Sequence, residues 1–163
     1  KPSIAKVNGD AVGAGMNLAL GCDLIVAGES ARFSEIFARR GLSLDFGGSW
    51  LLPRLVGMHK AKELAFFADI LSAREAERMG LVNRVVPDAE LDAFVADWAE
   101  RLSTSAPLAL QLSKKLLSNA FSIGLSEALD AEAAAQSVNL VSEDTKEGVR
   151  AFLEKRKPAF RGR

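Results

Sequence analysis

Hydrophobic residues recur at steps of three and four over most of the second half of the chain. Between residues 88 and 104 these positions are Leu91, Phe94, Val95, Trp98 and Leu102. This spacing predicts a helix with one buried face. Similar patterns predict further helices at 58–68, after Pro107, at 125–140 and at 143–156.

Short apolar runs separated by glycines and turns fill the first 57 residues. Residues 3–7 and 24–27 predict strands, and the β-branched run at 81–86, closed by Pro87, predicts a third. Ser72 and Glu75 have the spacing of a capping box, in which two side chains satisfy free amides at a helix start. We therefore predict an α/β core over residues 1–87 and a helical extension over 88–163.

Composition excludes several classes of protein. The 163 residues carry 21 Lys plus Arg against 21 Asp plus Glu, with 48% hydrophobic residues. A net charge of zero argues against nucleic-acid binding, which draws on excess positive charge. No apolar run reaches the roughly 18 residues that span a bilayer, so no membrane association is expected.

The single cysteine, Cys22, cannot form an internal disulfide, and it cannot build a zinc site with the single histidine, His59. These features favour a cytoplasmic protein that needs no metal.

The chain opens on Lys1-Pro2 and enters a predicted strand directly. Domains seldom begin in the middle of an element. We therefore expect that a further N-terminal segment precedes Lys1 in the natural protein.

Two segments are candidates for chemistry. Gly13-Ala14-Gly15 precedes a helical run, where free amides can hold an oxyanion, although a plain tight turn explains the same pattern. Asp45 lies between Leu44 and Phe46, where poor solvation would make a carboxylate a better proton acceptor. The alternative is that Asp45 caps the helix predicted to begin near residue 47.

Other polar residues have simpler explanations. We expect Glu35 to be a solvated loop residue, although it is also a possible partner carboxylate, and we expect His59 to lie on the surface. With one histidine and no nucleophile-elbow motif, a serine hydrolase triad has little support. A basic cluster near the C-terminus is either a solvated tail or a phosphate contact. Its members are Lys146, Arg150, Lys155, Arg156, Lys157, Arg161 and Arg163.

Several ordered motifs together resemble the crotonase superfamily, the enoyl-CoA hydratases and isomerases. They cover essentially the whole chain, at residues 1–9, 13–23, 52–57, 71–76, 80–87 and 152–158 and at Phe160. The resemblance implies the crotonase (ClpP-like) spiral α/β fold, of which this chain would be the C-terminal portion. It also implies that residues before Lys1 supply a second oxyanion amide and much of the surface that binds CoA.

The family holds the thioester carbonyl of an acyl-CoA with two backbone amides, and by similarity Ala14 would provide one of them. Hydratases of the family also use two glutamates that activate water. Their positions fall on Asn17 and Phe37 in this sequence, so neither carboxylate is present. This departure argues against simple hydration, because neither side chain exchanges protons with water.

Asp45 matches a position where other branches of the family carry a catalytic aspartate. Together with residues 13–20, the segment 45–54 looks closest to the phenylacetate-pathway epoxyphenylacetyl-CoA isomerases. The resemblance therefore makes Asp45 the leading proton-transfer residue. Phe37, Phe46 and Trp50 are expected to make the acyl pocket dry and apolar.

Two residues near the C-terminus resemble positions that contact CoA in some members, often across a trimer interface. These are Phe152 and Lys155. The resemblance further implies that the helical extension forms a homotrimer or a dimer of trimers, and that the enzyme needs no cofactor besides the CoA of its substrate.

The leading hypothesis is an acyl-CoA isomerase that stabilises an enolate. An enoyl-CoA hydratase is the alternative enzyme, and a catalytically inert CoA-binding or assembly subunit is the alternative of another class. If the chain is the whole molecule, poor folding and no activity are a fourth outcome. The acyl group and the pathway are not specified by the sequence.

Overall fold

Two small sheets organise the first half of the protein. The computed structural model describes all 163 residues. One sheet has the order β1-β3-β6 and is parallel throughout, and the other has the order β2-β4-β5. In the second sheet β2 and β4 are parallel, whereas β5 is antiparallel to β4. The strands are β1 Ile4–Val7, β2 Asp10–Val12, β3 Leu24–Gly28, β4 Arg32–Ser34, β5 Leu71–Ser72 and β6 Arg84–Val86.

Eight α-helices account for most of the rest, and five of them were predicted from the periodicity described above. They are α1 Ala14–Leu20, α2 Gly48–Val56, α3 Met58–Phe67, α4 Ala73–Arg78, α5 Leu91–Ser103, α6 Pro107–Asn119, α7 Leu125–Val141 and α8 Glu143–Leu153. No helix is both long enough and apolar enough to cross a membrane.

The chain divides into two compact units. The first comprises Ser3–Trp98, and the second comprises Ala99–Arg163 together with Lys1–Pro2. Helix α5 begins in the first unit and ends in the second. The predicted boundary after residue 87 therefore lies at the start of the segment that contains α5, and it stays a prediction.

The core of the first unit lies between the sheets and helices α1 to α4. Met16, Phe33 and Leu52 are its largest apolar side chains, and all three are almost fully buried. A smaller cluster forms around Val26, Val86 and Leu91, against which the apolar face of α5 packs. This burial explains the three- and four-residue spacing of α5, because only one face of the helix is covered.

The capping box at the start of α4 is confirmed. The Ser72 hydroxyl accepts a hydrogen bond from the Glu75 amide at 3.3 Å, and the Glu75 carboxylate accepts one from the Ser72 amide at 2.8 Å. The strand predicted at 81–86 is shorter than expected and contains only Arg84–Val86. Leu81 and Val82 are buried instead in the turn after α4, where both amides bond to the carbonyl of Ala76.

In the second unit, a buried aspartate fixes the C-terminus. Asp144 accepts hydrogen bonds from the amides of Arg161, at 2.6 Å, and Gly162, at 2.8 Å. Ser142 caps α8 by accepting from the Thr145 amide at 3.1 Å. Few large apolar side chains of this unit are buried, and many on α6, α7 and α8 and in the turn after α6 are exposed. Among them are Leu117, Phe121, Leu125, Leu140, Val141, Phe152 and Leu153.

Candidate functional site

Two chain segments meet at one edge of the second sheet. Strands β2 and β4 are parallel, with Val12 opposite Ser34. Parallel strands end at the same edge, so Gly13, which follows β2, and Glu35, which follows β4, come together there. The Gly13 amide donates to the Ser34 carbonyl at 2.8 Å, which fixes this arrangement. In α/β proteins, ligands bind preferentially beyond the carboxyl ends of parallel strands.

Glu35 is buried at this edge, with only 1% of its surface exposed. The expectation of a solvated loop residue is therefore wrong. The backbone of Glu35 leaves β4 and begins a 3-10 turn at Ile36–Arg40, and this turn directs the carboxyl group into the interior. A buried ionisable group away from any cation is rare in a fold. Its presence at this edge of the sheet indicates a functional role.

Asn17 connects Glu35 to the loop before α2. Its side-chain nitrogen Nδ2 donates to Glu35 Oε2 at 3.2 Å and to the backbone carbonyl of Asp45 at 3.1 Å. Asn17 is itself 1% exposed. Two buried acceptors, Asn17 Oδ1 and Glu35 Oε1, have no hydrogen-bond partner. Buried polar atoms without partners are uncommon, and at a site they are available to a ligand or a water molecule.

Burial raises the pKa of Glu35 to about 7, from its usual 4.5. The hydrogen bond from Asn17 acts in the opposite direction, and the nearby negative charge of Asp45 adds to the increase. Glu35 therefore exchanges a proton near neutral pH, which is the range in which a general acid or base is most effective.

Asp45 begins a tight turn with a strained backbone. Phe46 and Gly47 both have positive φ, at 48° and 82°, and the Gly48 amide donates to the Asp45 carbonyl at 2.9 Å. A bulky residue in the left-handed region costs on the order of 1 kcal/mol or more. Phe46 is 65% exposed, so core packing does not compensate for this strain. Such strain is often retained where a ligand binds.

Asp45 itself is exposed, contrary to the expected poor solvation between Leu44 and Phe46. The left-handed turn rotates the chain outward, so the two apolar neighbours do not cover the carboxylate. The alternative that Asp45 caps α2 is also not observed. The N-cap residue is Gly47, and no side chain caps that helix.

Gly48 lets α2 approach α1 closely. A Cβ atom at this position would lie 2.4 Å from Asn17 Nδ2 and 2.6 Å from Oδ1. No side chain fits in that space, so Gly48 allows Asn17 to reach the Asp45 carbonyl. This contact also fixes the distance between the first turn of α2 and the middle of α1.

Ala14 provides the first amide of α1. The preceding Gly13 has φ 55° and ψ −125°, a conformation that glycine adopts far more readily than other residues. The first amides of a helix have no acceptor within the helix. Phe37 lies against this turn, because a Cβ on Gly13 would lie 3.5 Å from its ring.

The expected dry pocket of three aromatic residues is only partly present. Phe37 is buried, but Phe46 is 65% and Trp50 is 46% exposed. The Arg54 guanidinium stacks 3.9 Å from the centre of the Trp50 ring and donates to the Trp50 carbonyl at 2.9 Å. One face of this ring is therefore occupied by a cation, because residues 50 and 54 are one helical turn apart on α2.

The basic cluster near the C-terminus is partly neutralised. Arg156 pairs with Glu147 at 2.6 Å and with Glu154 at 2.6 Å, and Arg163 pairs with Glu143 at 2.9 Å. Lys155 is exposed and follows α8 with a positive φ of 53°. Phe152 is 82% exposed. His59 is exposed, as predicted.

The burial of Glu35 was missed because the strand before it is only three residues long. Arg32-Phe33-Ser34 shows too little alternation to predict a strand, and its partner Asp10–Val12 is equally short. The parallel pairing of these strands, which brings Gly13 beside Glu35, is not encoded in any local pattern. The available signal was a glutamate directly after the buried residues Phe33 and Ser34.

Comparison with known proteins agrees with this architecture. The family model for enoyl-CoA hydratase/isomerase matches residues 1–163. The chain is 46% identical to a probable enoyl-CoA hydratase of Rhodobacter capsulatus, over 99% of the chain and 63% of that protein. It is 42% identical to the 1,2-epoxyphenylacetyl-CoA isomerase of Escherichia coli, over all of the chain and 62% of that protein.

Solved structures give the same result. The enoyl-CoA hydratase of Bacillus anthracis has a TM-score of 0.97 at 37% identity, covering 100% of this chain and 63% of that one. The chain thus spans less than two thirds of the length of these relatives. An enoyl-CoA hydratase subunit of Geobacillus kaustophilus has a TM-score of 0.95 at 42% identity, covering 99% of this chain and 63% of that one. The predicted crotonase fold is confirmed by these structural neighbours. The chain belongs to the enoyl-CoA hydratase/isomerase family.

Proposed function

We propose that the protein is an acyl-CoA isomerase in which Asp45 transfers the proton. Its carboxylate would remove a proton from a carbon of an unsaturated or ring-containing acyl thioester, giving an enolate. The same carboxyl group would return the proton to a different carbon, so the double bond moves and no atom is gained or lost. The reaction needs no redox partner, and CoA is part of the substrate.

The observation that carries this proposal is the attachment of the Asp45 turn to α1. The carbonyl of Asp45 accepts from both Asn17 Nδ2 and the Gly48 amide, so the backbone beneath the carboxylate is fixed. The carboxylate itself is exposed and can reach a substrate. Proton transfer at carbon requires a fixed backbone and an accessible carboxylate, because the carboxylate oxygen and the substrate carbon must meet in a defined geometry.

The Ala14 amide would hold the enolate oxygen. It is the first amide of α1 and lies at the same sheet edge as Asn17 and Glu35. A donor that contacts the oxygen only as negative charge develops lowers the barrier selectively, and removing one costs about 3 kcal/mol. Asn17 and the buried Phe37 occupy the positions of the hydratase glutamates, which supports isomerisation over water addition.

An enoyl-CoA hydratase is the second candidate, favoured by the names of several relatives and by Glu35. The relatives include a crotonyl-CoA hydratase of Syntrophomonas wolfei that is 42% identical. Glu35 is a carboxyl group that changes protonation near pH 7, and hydration needs such a group.

The experiment that separates these functions compares two reactions in one preparation. The full protein would be assayed for double-bond migration on enoyl- and dienoyl-CoA esters, and for water addition to crotonyl-CoA. Migration that is lost in Asp45→Asn supports the isomerase. Water addition that survives Asp45→Asn and is lost in Glu35→Gln supports the hydratase. Binding of acyl-CoA without turnover in either assay would identify an inert CoA-binding subunit.

The second unit would contribute CoA contacts and assembly. Lys155 and the exposed Phe152 are proposed to contact the nucleotide part of CoA, with the lysine acting as a point charge on phosphate.

Apolar side chains lie around the whole circumference of α7 rather than on one face, yet only Ala135 of this helix is buried. A surface of this kind marks a protein interface. We propose that it forms the homotrimer or dimer of trimers, which light scattering of the purified protein would test.

A further inference from the structure

The orientation of the Asn17 side chain determines which oxygen of Glu35 can carry a proton. The Asp45 carbonyl can only accept hydrogen bonds, so the atom facing it at 3.1 Å must be the Asn17 nitrogen. A flipped amide would bring two acceptor oxygens together. The same nitrogen faces Glu35 Oε2 at 3.2 Å, so Oε2 is an acceptor. A proton on Glu35 therefore resides on Oε1, the oxygen that has no partner.

Glu35 thus lies at the start of a chain of contacts that ends at Asp45. Its carboxyl group holds the Asn17 amide, and the amide holds the carbonyl of Asp45. Gly48 packs directly against Asn17, since even a methyl group at this position would overlap both polar atoms of the amide. The elements involved are β4, α1 and the turn before α2.

We propose that Glu35 is a positioning residue for Asp45, and that loss of its proton strengthens its hold on Asn17 and thereby on the Asp45 turn. This proposal rests on the proposed function, in which Asp45 transfers the proton. A hydrogen bond to an ionised carboxylate is about twice as strong as one to a neutral acid. The turn is consequently held more firmly when Glu35 is ionised, and turnover should be higher in that state.

Few charges surround Glu35. Asp45, on the turn before α2, is the charged side chain that acts on it, and α1 presents the neutral Asn17. The protonation of Glu35 should therefore respond to changes at these two residues in opposite directions. Removing the Asp45 charge should lower the pKa of Glu35, and removing the Asn17 hydrogen bond should raise it.

The first test measures protonation directly and does not depend on activity. Infrared difference spectra of the protein, recorded as the pH is stepped, would follow the carbonyl stretch of the protonated Glu35 acid. The band is expected to vanish with a midpoint of about pH 7 and to be missing in Glu35→Gln. Asp45→Asn should shift the midpoint down, and Asn17→Leu should shift it up. A midpoint that Asp45→Asn leaves unchanged would overturn the coupling, and this variant changes only an exposed side chain, so folding should not be affected.

The second test is the pH dependence of isomerase turnover in the full protein. In the wild type, kcat should rise through the midpoint found by infrared. In Glu35→Gln, which keeps a neutral acceptor for Asn17, this rise should disappear, leaving kcat about fivefold lower above the midpoint, with KM little changed. If Glu35 had only a structural role, the ratio of kcat in wild type to kcat in Glu35→Gln would not depend on pH.

The two tests separate the proposals. If Asp45→Asn abolishes turnover and Glu35→Gln keeps the wild-type pH profile, the positioning role is wrong and the isomerase function stands. If Asp45→Asn retains full turnover, the proposed function is wrong and the positioning role is wrong with it.

Discussion

The side-chain amide of Asn17 lies 3.2 Å from the carboxylate of Glu35, and both residues are 1% exposed. An amide and a carboxyl group in the interior normally satisfy each other fully, because unpaired polar atoms are costly there. Here one oxygen of each side chain is unpaired. The two unpaired oxygens therefore reduce the stability of the protein at this sheet edge. Gly13 lies at the same edge, and the Asp45 turn is attached to it through Asn17.

Replacing Asp45 by Asn should reduce isomerase kcat by about 100-fold to 10,000-fold, the usual effect of losing a general base. The amide is nearly the same size but cannot take up a proton. Steady-state kinetics on an unsaturated acyl-CoA would measure the loss. Asp92→Asn is the matched control and should leave kcat unchanged, because Asp92 is an exposed aspartate on α5 that pairs with Lys6 on β1. Equal activity of both variants would rule out Asp45 as the base.

Glu35→Gln should change how stability depends on pH. The pKa of Glu35 rises from 4.5 when unfolded to about 7 when folded, so folding favours the protonated acid. Its contribution to stability is complete below pH 4.5 and is lost as the pH rises to about 7. The loss is on the order of 2–3 kcal/mol.

Urea unfolding at several pH values would measure this effect. The difference between wild type and Glu35→Gln isolates Glu35 together with its coupling to Asp45, because groups that do not interact with Glu35 titrate equally in both proteins. The free energy of unfolding of Glu35→Gln, measured relative to wild type, should increase as the pH rises from 4.5 to 7. A difference that does not vary with pH would contradict the raised pKa.

Gly48→Ala should destabilise the protein by roughly 1–3 kcal/mol, the cost of overpacking a tight contact. The new methyl group would lie 2.4 Å from Asn17 Nδ2, which is buried and would break its hydrogen bonds to Glu35 and the Asp45 carbonyl if it moved. Gly15→Ala is the control, since Gly15 is exposed on α1 with no heavy atom within 4 Å of its added Cβ. That substitution should be neutral or stabilising by up to about 1 kcal/mol. Thermal unfolding of both variants would measure the difference.

Phe46→Gly should stabilise the turn and weaken substrate binding. Glycine adopts the positive φ of 48° without strain, which relieves about 1 kcal/mol. Because the Phe46 ring is 65% exposed, little packing is lost. We expect a higher melting temperature together with a higher KM for acyl-CoA. Phe46→Asn, which also tolerates this backbone conformation, should raise KM similarly. An unchanged KM in both variants would show that the ring does not contact the acyl group.

Lys155→Gln should raise KM for acyl-CoA by about 5-fold to 10-fold, the effect of removing one charge-assisted contact to a phosphate, with kcat unchanged. A substrate analogue with pantetheine in place of CoA has no nucleotide phosphates and should show no difference. Lys62→Gln removes an exposed lysine from α3 and is the control. A loss that is equally large with the pantetheine thioester would exclude a phosphate contact.

The helices could be predicted from sequence because their signals are local. The apolar positions of α5 and the Ser72 and Glu75 capping box lie within a few turns of chain, and the structure agrees at both places. The same holds for Gly13, whose unusual backbone conformation is compatible with few residues other than glycine. The site residues were less predictable, because their environment is built by segments far apart in the chain.

Sequence by itself determined the family, the helical second half and the candidate residues Ala14, Asn17 and Asp45. Only the tertiary structure showed that Glu35 is buried and that Asp45 is exposed. The reason is physical: burial depends on which strands pair and which turns bend outward. The parallel pairing of β2 with β4 places Glu35 beside Asn17, and the left-handed turn at Phe46 directs Asp45 outward. Neither arrangement has a local pattern, since each depends on contacts between residues that are distant in sequence.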